Sequence, residues 1–349
     1  GSVIGASGVG AQELRITQQV SGLETPWALA ILPNGDVLVT ERDGRLLRVR
    51  EGTSHEVAGT PQVVDAGQGG LLDITLARDF DRSRTIFLTY AKALEGGAGT
   101  ALAAAELSQD GARLENLRDL FTMSRGSAAG QHFGSRVVEA RDGTLFVTVG
   151  ERGDRPAAQD LGQHNGSVVR VNRDGTVPAD NPFVGRDDVL PEIWSYGHRN
   201  PQGAALDLEG NLWVSEHGAR GGDEVNAVRK GANYGWPVIS YGRHYSGAKI
   251  GEGTTKEGME QPAFYWDPSI APSGMLVYSG KMFPDWRGDI FIGSLKFDYI
   301  ARLQGDPLAE GAQISAPATA RVRDIIEAPD GAIWFISVGN GAVYRISND

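Results

Sequence analysis

Six copies of one short pattern run through the chain, each a polar turn that contains Gly or Arg followed by a run of β-forming residues. The copies span residues 33–41, 82–90, 141–151, 208–218, 286–295 and 329–340. Hydrophobic or aromatic residues begin two or three positions after each turn, which suits a strand buried on both faces. The chain must therefore place six similar strands in equivalent positions, and few folds allow that.

The turns of the six copies recur at a loose period. Their central residues are Gly35, Arg84, Gly143, Gly210, Gly288 and Gly331. A period of roughly 40–50 residues with about four strands in each unit is typical of a β-propeller. Only residues 101–107 and 116–121 resemble amphipathic helices, and both are too short for a parallel α/β fold. The sequence predicts an all-β, six-bladed β-propeller with long loops on its active-site face.

The domain organisation follows from the same repeat. We expect residues 12–349 to form a single propeller and residues 1–11 to be a flexible N-terminus, since GSVIGASGVGA is rich in small residues and has no charged region. A strand near residues 13–19 is predicted to complete the last blade. Closing the ring in this way removes the exposed edges of an open sheet.

Composition excludes several classes of protein. The formal net charge of −11 argues against nucleic acid and anionic membrane surfaces as partners. No apolar run approaches the ~18 residues of a membrane-spanning helix. The chain has no cysteine, which excludes disulfides and thiolate chemistry and fits an oxidising compartment. No H-E-x-x-H, P-loop, G-x-S-x-G or G-x-G-x-x-G motif occurs, so zinc proteases, NTPases, α/β-hydrolases and nicotinamide enzymes lose their usual support.

Polar residues cluster in segments that precede the first strand of a blade or follow a central strand. These segments are GQGGLLDI, GQHFGSR, GHRNPQG and SLKFDYIAR. In a propeller such turns gather around the central channel at one face. We therefore predict that six side chains converge there: Gln68, His132, Arg199, Asn200, Lys296 and Arg302. Each charge alone is typical of a solvated surface, but together they favour a ligand with several carboxylate or phosphate oxygens.

His132 is the best candidate for a general base, because an imidazole with a pKa near ~6.5 accepts a proton around neutral pH. His164 and His198 are rivals. His217 is a candidate supporting group near the site. His55 and His244 are expected at the surface.

An acidic, glycine-rich run lies in the fourth repeat. GGDEVN at residues 221–226 follows Glu216 and offers carboxylates beside glycines that expose backbone carbonyls, which suits calcium. The spacing of an EF-hand loop is missing. The run therefore indicates a calcium site of another kind.

Several of these motifs together resemble a known family. PWALAILPNGDVLVTER, GQGGLLDI, GQHFGSR, YGHRNPQG, SEHGARGGDEVN and NYGWP follow one another across nearly the whole chain. In this order they resemble the soluble glucose/sorbosone dehydrogenases that depend on pyrroloquinoline quinone (PQQ), and most closely the aldose sugar dehydrogenase branch. The resemblance implies a six-bladed propeller with PQQ and Ca²⁺ at the channel mouth.

The resemblance also implies roles for individual residues. His132 would accept the proton of the anomeric hydroxyl while hydride passes to the quinone, and Arg199 would stabilise charge at the quinone. The cofactor-binding residues would be Gln68, Arg199, Asn200, Tyr245, Lys296 and Arg302. Calcium would be bound by the carbonyls of Gly218 and Ala219, although Pro is common in the family where Ala219 stands. Glu224 and the Tyr234 carbonyl would form a second calcium position.

The implied reaction is the PQQ- and calcium-dependent oxidation of aldoses at C1 to the lactone. Two alternatives keep the propeller: a calcium-dependent sugar lactonase and a non-catalytic carbohydrate-binding propeller. The family resemblance implies a periplasmic or secreted location, an aldose substrate, and a monomer or dimer without membrane insertion. The preferred aldose and the electron acceptor are left open.

Overall fold

The computed structural model describes residues 2–5 and 13–349, whose strands form six sheets. Two N-terminal strands, β1 (Ser2–Gly5) and β2 (Glu13–Val20), come first. Blade 1 contains β3 (Pro26–Ile31), β4 (Val37–Glu41), β5 (Leu46–Arg50) and β6 (Thr53–Val57). Blade 2 contains β7 (Leu71–Leu76), β8 (Thr85–Leu94), β9 (Gly97–Leu107) and β10 (Leu114–Thr122). Blade 3 contains β11 (Gly134–Glu139), β12 (Leu145–Val149), β13 (Ser167–Val171) and β14 (Ile193–Ser195).

The remaining blades follow the same order along the chain. Blade 4 contains β15 (Pro201–Leu206), β16 (Leu212–Glu216), β17 (Asp223–Ala227) and β18 (Phe264–Trp266). Blade 5 contains β19 (Pro272–Val277), β20 (Ile290–Ser294), β21 (Ile300–Gln304) and β22 (Ala309–Glu310). Blade 6 contains β23 (Val322–Glu327), β24 (Ile333–Ser337) and β25 (Ala342–Ser347) together with β2 and β1. The predicted six-bladed β-propeller is confirmed.

Helix is scarce. One short α-helix, α1 (Phe80–Ser83), and three 3₁₀ turns occur in the described residues: Arg155–Gln159, Pro284–Trp286 and Pro317–Thr319. The two segments that resemble helices in the sequence, residues 101–107 and 116–121, lie in β9 and β10. Within residues 2–5 and 13–349, no helix has the length and apolar character needed to span a membrane.

The six predicted repeat strands are the second strands of the blades. Every residue of β4, β12 and β20 is buried, as the continuous β-forming runs predict for strands covered on both faces. The first strand of each blade packs against the first strand of the next, so that β23 contacts β3 and the ring closes. Because strands within a blade are antiparallel, the starts of the first strands and the ends of the second strands meet at one face.

The N-terminal strand closes the ring. β2 pairs with β25 in antiparallel register, with Ile16 opposite Ile346. Leu14 and Ile16 are buried in the core of blade 6 beside Phe335 and Ile346. Within the N-terminal segment 1–11 that we expect to be flexible, Ser2–Gly5 adds an outer strand to the same sheet, and residues 1 and 6–11 lie outside the described residues.

A buried ion cluster joins the blades at the channel. Arg136 of β11 contacts Asp73 of β7 at 3.3 Å and Asp324 of β23 at 3.2 Å. Its Nε donates to the carbonyl of Gln202 in β15 at 2.6 Å. Burial raises the pKa of Asp324 to about 7, although the charge of Arg136 opposes that shift. One arginine therefore links blades 2, 3, 4 and 6 directly below the face at which the loops gather.

Candidate active site

Two adjoining chambers open at this face. The larger has a volume of about 770 Å³ and the other about 610 Å³, and both are lined by Gln68, His217, Ala271 and Lys296. The larger chamber is also lined by His132, Arg199, Asn200, Gly218, Ala219 and Tyr245. Five of the six side chains that the sequence analysis expects to converge are therefore brought together here. Tyr245 is 76 % exposed at the rim.

His132 is fixed from two sides. Its backbone N–H donates to Gln68 Oε1 at 3.0 Å, and its Nδ1 forms a hydrogen bond with Glu151 Oε1. Its φ of +59° is in the left-handed region, which is unusual for a residue with a side chain. In the part of the chain that the structure describes, Nε2 has no hydrogen-bond partner. The ring therefore presents that nitrogen as a proton acceptor.

The surroundings of His132 keep its ring neutral. Burial lowers the pKa of His132, the hydrogen bond that its ring donates to Glu151 opposes this, and the charge of Arg199 lowers the pKa further. A neutral imidazole at neutral pH can accept a proton at Nε2 while Nδ1–H donates to a carboxylate. The arrangement is that of a base with its tautomer fixed by a neighbouring acid.

Glu151 is itself held in place. Its Oε1 also accepts from the N–H of Gly153 at 2.7 Å, and its Oε2 accepts from the indole N–H of Trp236 at 2.8 Å. Burial raises the pKa of Glu151, but the hydrogen bonds from His132 and Trp236 outweigh that effect and lower it. The carboxylate stays ionised, so it stabilises a proton gained by His132.

Arg199 is a buried cation that forms no ion pair with a carboxylate among the described residues. Its side chain donates from Nη1 to the carbonyl of Gly218 at 2.7 Å and less closely to that of His217, while Nε is buried without a partner among the described residues. Burial lowers the pKa of Arg199. Asn200 uses Oδ1 to accept from Gly134 N–H at 3.1 Å. The buried guanidinium of Arg199 favours an anionic or electron-rich ligand in the chamber.

The smaller chamber adds further cations. Arg42, Arg321 and Arg323 line it together with Lys296. Arg323 donates to Gln202 Oε1 at 2.6 Å, its Nε is buried without a partner within the described chain, and burial lowers its pKa to about 9. These groups suit a ligand that carries several carboxylates.

Arg302 is a correction to the predicted set. It lies in β21 and pairs with Asp289 at 2.9 Å, with a second hydrogen bond to Gln304, and it lines neither chamber. At roughly 3.3 Å per residue, the strand carries Arg302 well below the loop that holds Lys296. Its partner precedes β20, on the side of the blade away from the channel mouth.

The predicted calcium ligands fall in two places. Gly218 and Ala219 line the larger chamber, where Asp223 holds the turn by accepting from Gly218 N–H at 2.7 Å. Glu224 and Tyr234 lie outside both chambers. No group of three or more His, Asp or Glu side chains in the described residues has the arrangement of a metal site. The calcium ligands predicted at the larger chamber, Gly218 and Ala219, would bind through their backbone carbonyls instead.

Glu224 lies in a buried polar cluster. Its carboxylate accepts from Asn226 Nδ2 at 3.1 Å, and Asn226 Oδ1 is buried without a partner among the residues described. Burial and the nearby Glu216 raise the pKa of Glu224 well above its usual range. The Tyr234 ring stacks on His198 beside this cluster. Oxygen atoms that lack a positive partner are the environment in which a cation binds.

The rival histidines have both ring nitrogens engaged or a very low pKa. His198 contacts Glu216 through Nδ1 and Ser195 through Nε2. His164 contacts Ser124 N–H and Glu192 in the same way. His217 lines the chamber, but its Nε2 donates to the carbonyl of Pro272, and burial lowers its pKa to about 3. His132 is thus the one of the four placed as a base.

Four chamber or supporting residues escaped the sequence analysis although its own rule would have found them. Arg42 follows the second strand β4 directly, and Glu151 lies two residues after the second strand β12, as Lys296 lies two residues after β20. Arg321 and Arg323 lie at the start of the first strand β23, where Gln68 and His132 lie in their blades. Applying the positional rule to every blade would have identified all four.

Comparisons with known proteins agree with this geometry. The profile of the glucose/sorbosone dehydrogenase family matches residues 23–345. The chain is 43% identical over 335 residues to the aldose sugar dehydrogenase YliI of Escherichia coli (strain K12), covering 93% of this chain and 90% of that protein.

Solved structures show the same likeness. The soluble aldose sugar dehydrogenase from Escherichia coli in its apo-form has a TM-score of 0.93 at 41% identity, with 96% of this chain and 100% of that chain covered. A PQQ-bound aldose sugar dehydrogenase from Streptomyces coelicolor has a TM-score of 0.78 at 26% identity, covering 96% and 98% of the two chains. The chain therefore belongs to the glucose/sorbosone dehydrogenase family, and it is an oxidoreductase that acts on sugars.

Proposed function

We propose that this enzyme oxidises aldoses at C1 to the lactone and depends on PQQ and Ca²⁺. The observation that carries the proposal is the pair of groups lining the larger chamber: a neutral His132 and a buried Arg199, where within residues 2–5 and 13–349 His132 Nε2 has no hydrogen-bond partner and Arg199 has no ion pair. A PQQ-bound relative with the same propeller supports the choice of cofactor.

The residues present fit this cofactor. PQQ is a planar tricarboxylate, and the smaller chamber offers Lys296, Arg321 and Arg323 to such groups. Gln68 and Asn200 keep their amide nitrogens available at the chamber wall, because their carbonyl oxygens already accept from backbone N–H groups. Tyr245 would cover the cofactor at the rim.

The calcium position fits less directly. The carbonyls of Gly218 and Ala219 are the candidate ligands in the larger chamber, and Gly218 O already accepts a bond from Arg199. We propose Glu224 and the Tyr234 carbonyl as a second position, supported by the buried oxygen atoms around Glu224. When bound, PQQ would accept the hydride of C1, with Ca²⁺ as the Lewis acid that polarises it.

The side chains of the protein would manage the proton and the charge. His132 Nε2 would take the proton of the anomeric hydroxyl, and Glu151 would stabilise the resulting imidazolium through Nδ1. Arg199 is positioned to stabilise negative charge that develops at the ligand during the transfer. General-base catalysis of this kind contributes roughly 10²–10⁴ in rate.

The test is reconstitution. We expect purified protein with added PQQ and Ca²⁺ to reduce an artificial dye when glucose or another aldose is supplied, with the lactone as the product. His132→Ala should retain PQQ binding, seen as an unchanged rise in melting temperature, and lose turnover by about 10²–10⁴-fold. Absence of turnover with every aldose would refute the dehydrogenase proposal, and unchanged activity of His132→Ala would refute the role of the base.

The same assays separate the alternatives. A calcium-dependent lactonase would hydrolyse added lactone without PQQ, whereas a carbohydrate-binding propeller would bind sugar and turn over neither substrate. A periplasmic or secreted location is also part of the proposal.

A further inference from the structure

The outer wall of the larger chamber carries two arginines that the proposed chemistry does not use. Arg220 follows the Gly218–Ala219 turn, and Arg243 lies in the insertion between β17 and β18. Neither forms an ion pair with a carboxylate among the described residues. Asp267 is the single carboxylate that lines this chamber, and it too has no ion pair in that part of the chain.

Backbone contacts hold the two arginines at the chamber. The N–H of Arg220 donates to the carbonyl of Arg243 at 3.1 Å. A tight turn from Arg243 to Lys249 follows, and Gly247 in that turn also lines the chamber. A Cβ atom on Gly247 would lie 3.5 Å from Arg220 Nη1, so this guanidinium lies against the turn.

A contact from a second blade anchors the same turn. Arg155, in the loop between β12 and β13, reaches His244 with Nη1 at 2.7 Å from Nδ1. The turn is therefore tied both to the segment that carries Arg220 and to blade 3. Both arginines are exposed and line the chamber, in segments that these backbone and side-chain contacts hold in place.

The charge of the site exceeds what the cofactor would neutralise. Seven cationic side chains line the two chambers: Arg42, Arg199, Arg220, Arg243, Lys296, Arg321 and Arg323. Only two carboxylates line them, Asp267 and Asp298. A bound tricarboxylate leaves the balance positive, and a bound Ca²⁺ makes it more so. This excess stands in a chain with a net charge of −11.

The excess positive charge is divided between the two chambers. Arg42, Arg321 and Arg323 line only the smaller chamber, whereas Arg220 and Arg243 line only the larger one, together with His132. The first group suits the carboxylates of the cofactor. The second group lies on the side from which a sugar would approach the base. A neutral aldose offers only hydroxyl groups, which gain little from two guanidinium ions.

We infer that Arg220 and Arg243 form an anion-binding subsite for the substrate, and that the preferred aldoses carry a carboxylate or phosphate group away from C1, as uronic acids do. This inference depends on the proposed function. A guanidinium binds either group through paired, charge-assisted hydrogen bonds. The subsite would hold the acidic end of the sugar while the anomeric hydroxyl reaches His132.

The first experiment compares matched substrates with the PQQ- and Ca²⁺-loaded enzyme and a neutral dye. We expect kcat/KM for glucuronate to exceed that for glucose by about tenfold, which corresponds to roughly one charge-assisted hydrogen bond. The advantage should shrink as salt screens the charges. Glucose 6-phosphate separates the two anionic groups, because a larger gain for it than for glucuronate assigns the subsite to phosphate. Equal kcat/KM for the anionic and neutral sugars would overturn the inference.

The second experiment tests the residues. Arg220→Gln and Arg243→Gln should each lower kcat/KM for glucuronate by about tenfold, mainly through KM, and change that for glucose by less than about twofold. The matched control is Arg141→Gln, which removes an exposed arginine at the opposite face, in the turn between β11 and β12. Equal losses for both sugars would mean that the arginines support the loop and form no subsite.

A binding measurement keeps the inference separate from the proposed function. Methyl glucuronide is blocked at C1 and resists oxidation there, so calorimetry reports its binding alone. We expect it to bind the loaded enzyme more tightly than methyl glucoside, and Arg243→Gln to remove the difference. If no aldose is oxidised, the proposed function fails while this titration still decides the subsite. Equal binding of the two glycosides would overturn the inference.

Discussion

At the residue scale, contacts between pairs of side chains set the protonation state and orientation of the groups in the site. His132 alone is a buried histidine with a lowered pKa. Glu151 fixes its tautomer and opposes the lowering, and Trp236 fixes Glu151 in turn. The Trp236 ring also lies against Arg199, with the guanidinium carbon 5.4 Å from the ring centre. One indole therefore contacts both the acid that supports the base and the cation that stabilises charge.

Replacing Glu151 by Gln should test this pairing. We expect kcat to fall on the order of 10²-fold with little change in KM, because the imidazolium loses its negative partner. Glu151 raises the pKa of His132, so its loss should move the acid limb of the kcat–pH profile to lower pH. The measurement is the pH dependence of dye reduction.

Glu139→Gln is the control for that experiment. Glu139 is a buried acid of the same blade that accepts from Arg78 N–H, away from the chamber. Its replacement should leave the profile in place. An acid limb that moves to higher pH in Glu151→Gln would contradict the assigned role.

Residue types at the site were predictable, but their partners were not. His132, Arg199 and Asn200 stand out because their motifs place polar groups before a first strand. Glu151 satisfies the other half of the positional rule, because it follows a second strand, but its role comes from its contact with His132 of the neighbouring loop. Arg302 shows the opposite error, since it is the third residue of β21, beyond the loop that holds Lys296, and the sequence alone did not mark where that loop ends.

At the element scale, the second strands were predictable because continuous β-forming runs follow recognisable turns. Three of the fourth strands were not. β14, β18 and β22 have only three, three and two residues, too few for an alternating pattern. The helix-like composition of β9 comes from alanines, which the structure packs on both faces of a long hairpin. Burial there overrides the helical preference of Ala.

The closing strand β2 gives an element-scale prediction. Burial alternates over its first half, where Leu14 and Ile16 are buried, and Gln18 further along the strand is exposed. Ile16→Ala should lower the free energy of unfolding by about 2–5 kcal/mol, because it leaves a cavity in the core of blade 6. Thermal or urea denaturation provides the measurement.

Gln18→Ala is the matched control on the same strand, and we expect it to change stability little. Equal effects of the two substitutions would contradict the register in which Ile16 faces Ile346.

At the scale of the whole molecule, Arg136 links four blades through Asp73, Asp324 and the Gln202 carbonyl. Arg136→Met should destabilise the protein by about 3–5 kcal/mol, because two buried carboxylates lose their shared counter-ion. Its melting temperature should recover in part when Asp73→Asn and Asp324→Asn are added. Thermal unfolding of the single and triple variants tests this.

A triple variant no more stable than Arg136→Met would show that the loss comes from packing around Trp27, whose ring lies 4.0 Å from the guanidinium carbon. Recovery would show that the charge balance of the channel matters. Neither Asp73 nor Asp324 lines the chambers, so both results report on the ion cluster and not on the active site.

The pairing of β2 with β25 also constrains when the last blade can fold during synthesis. A ribosome delivers residues 13–20 long before residues 342–347, so β2 lacks its partner strand until the growing chain has passed residue 342. Throughout that interval the apolar side of β2 has no native neighbour, while five blades can already assemble. Strand β2 is therefore synthesised early but is buried late. A nascent chain stalled before residue 342 would expose Leu14 and Ile16 to chaperones and proteases.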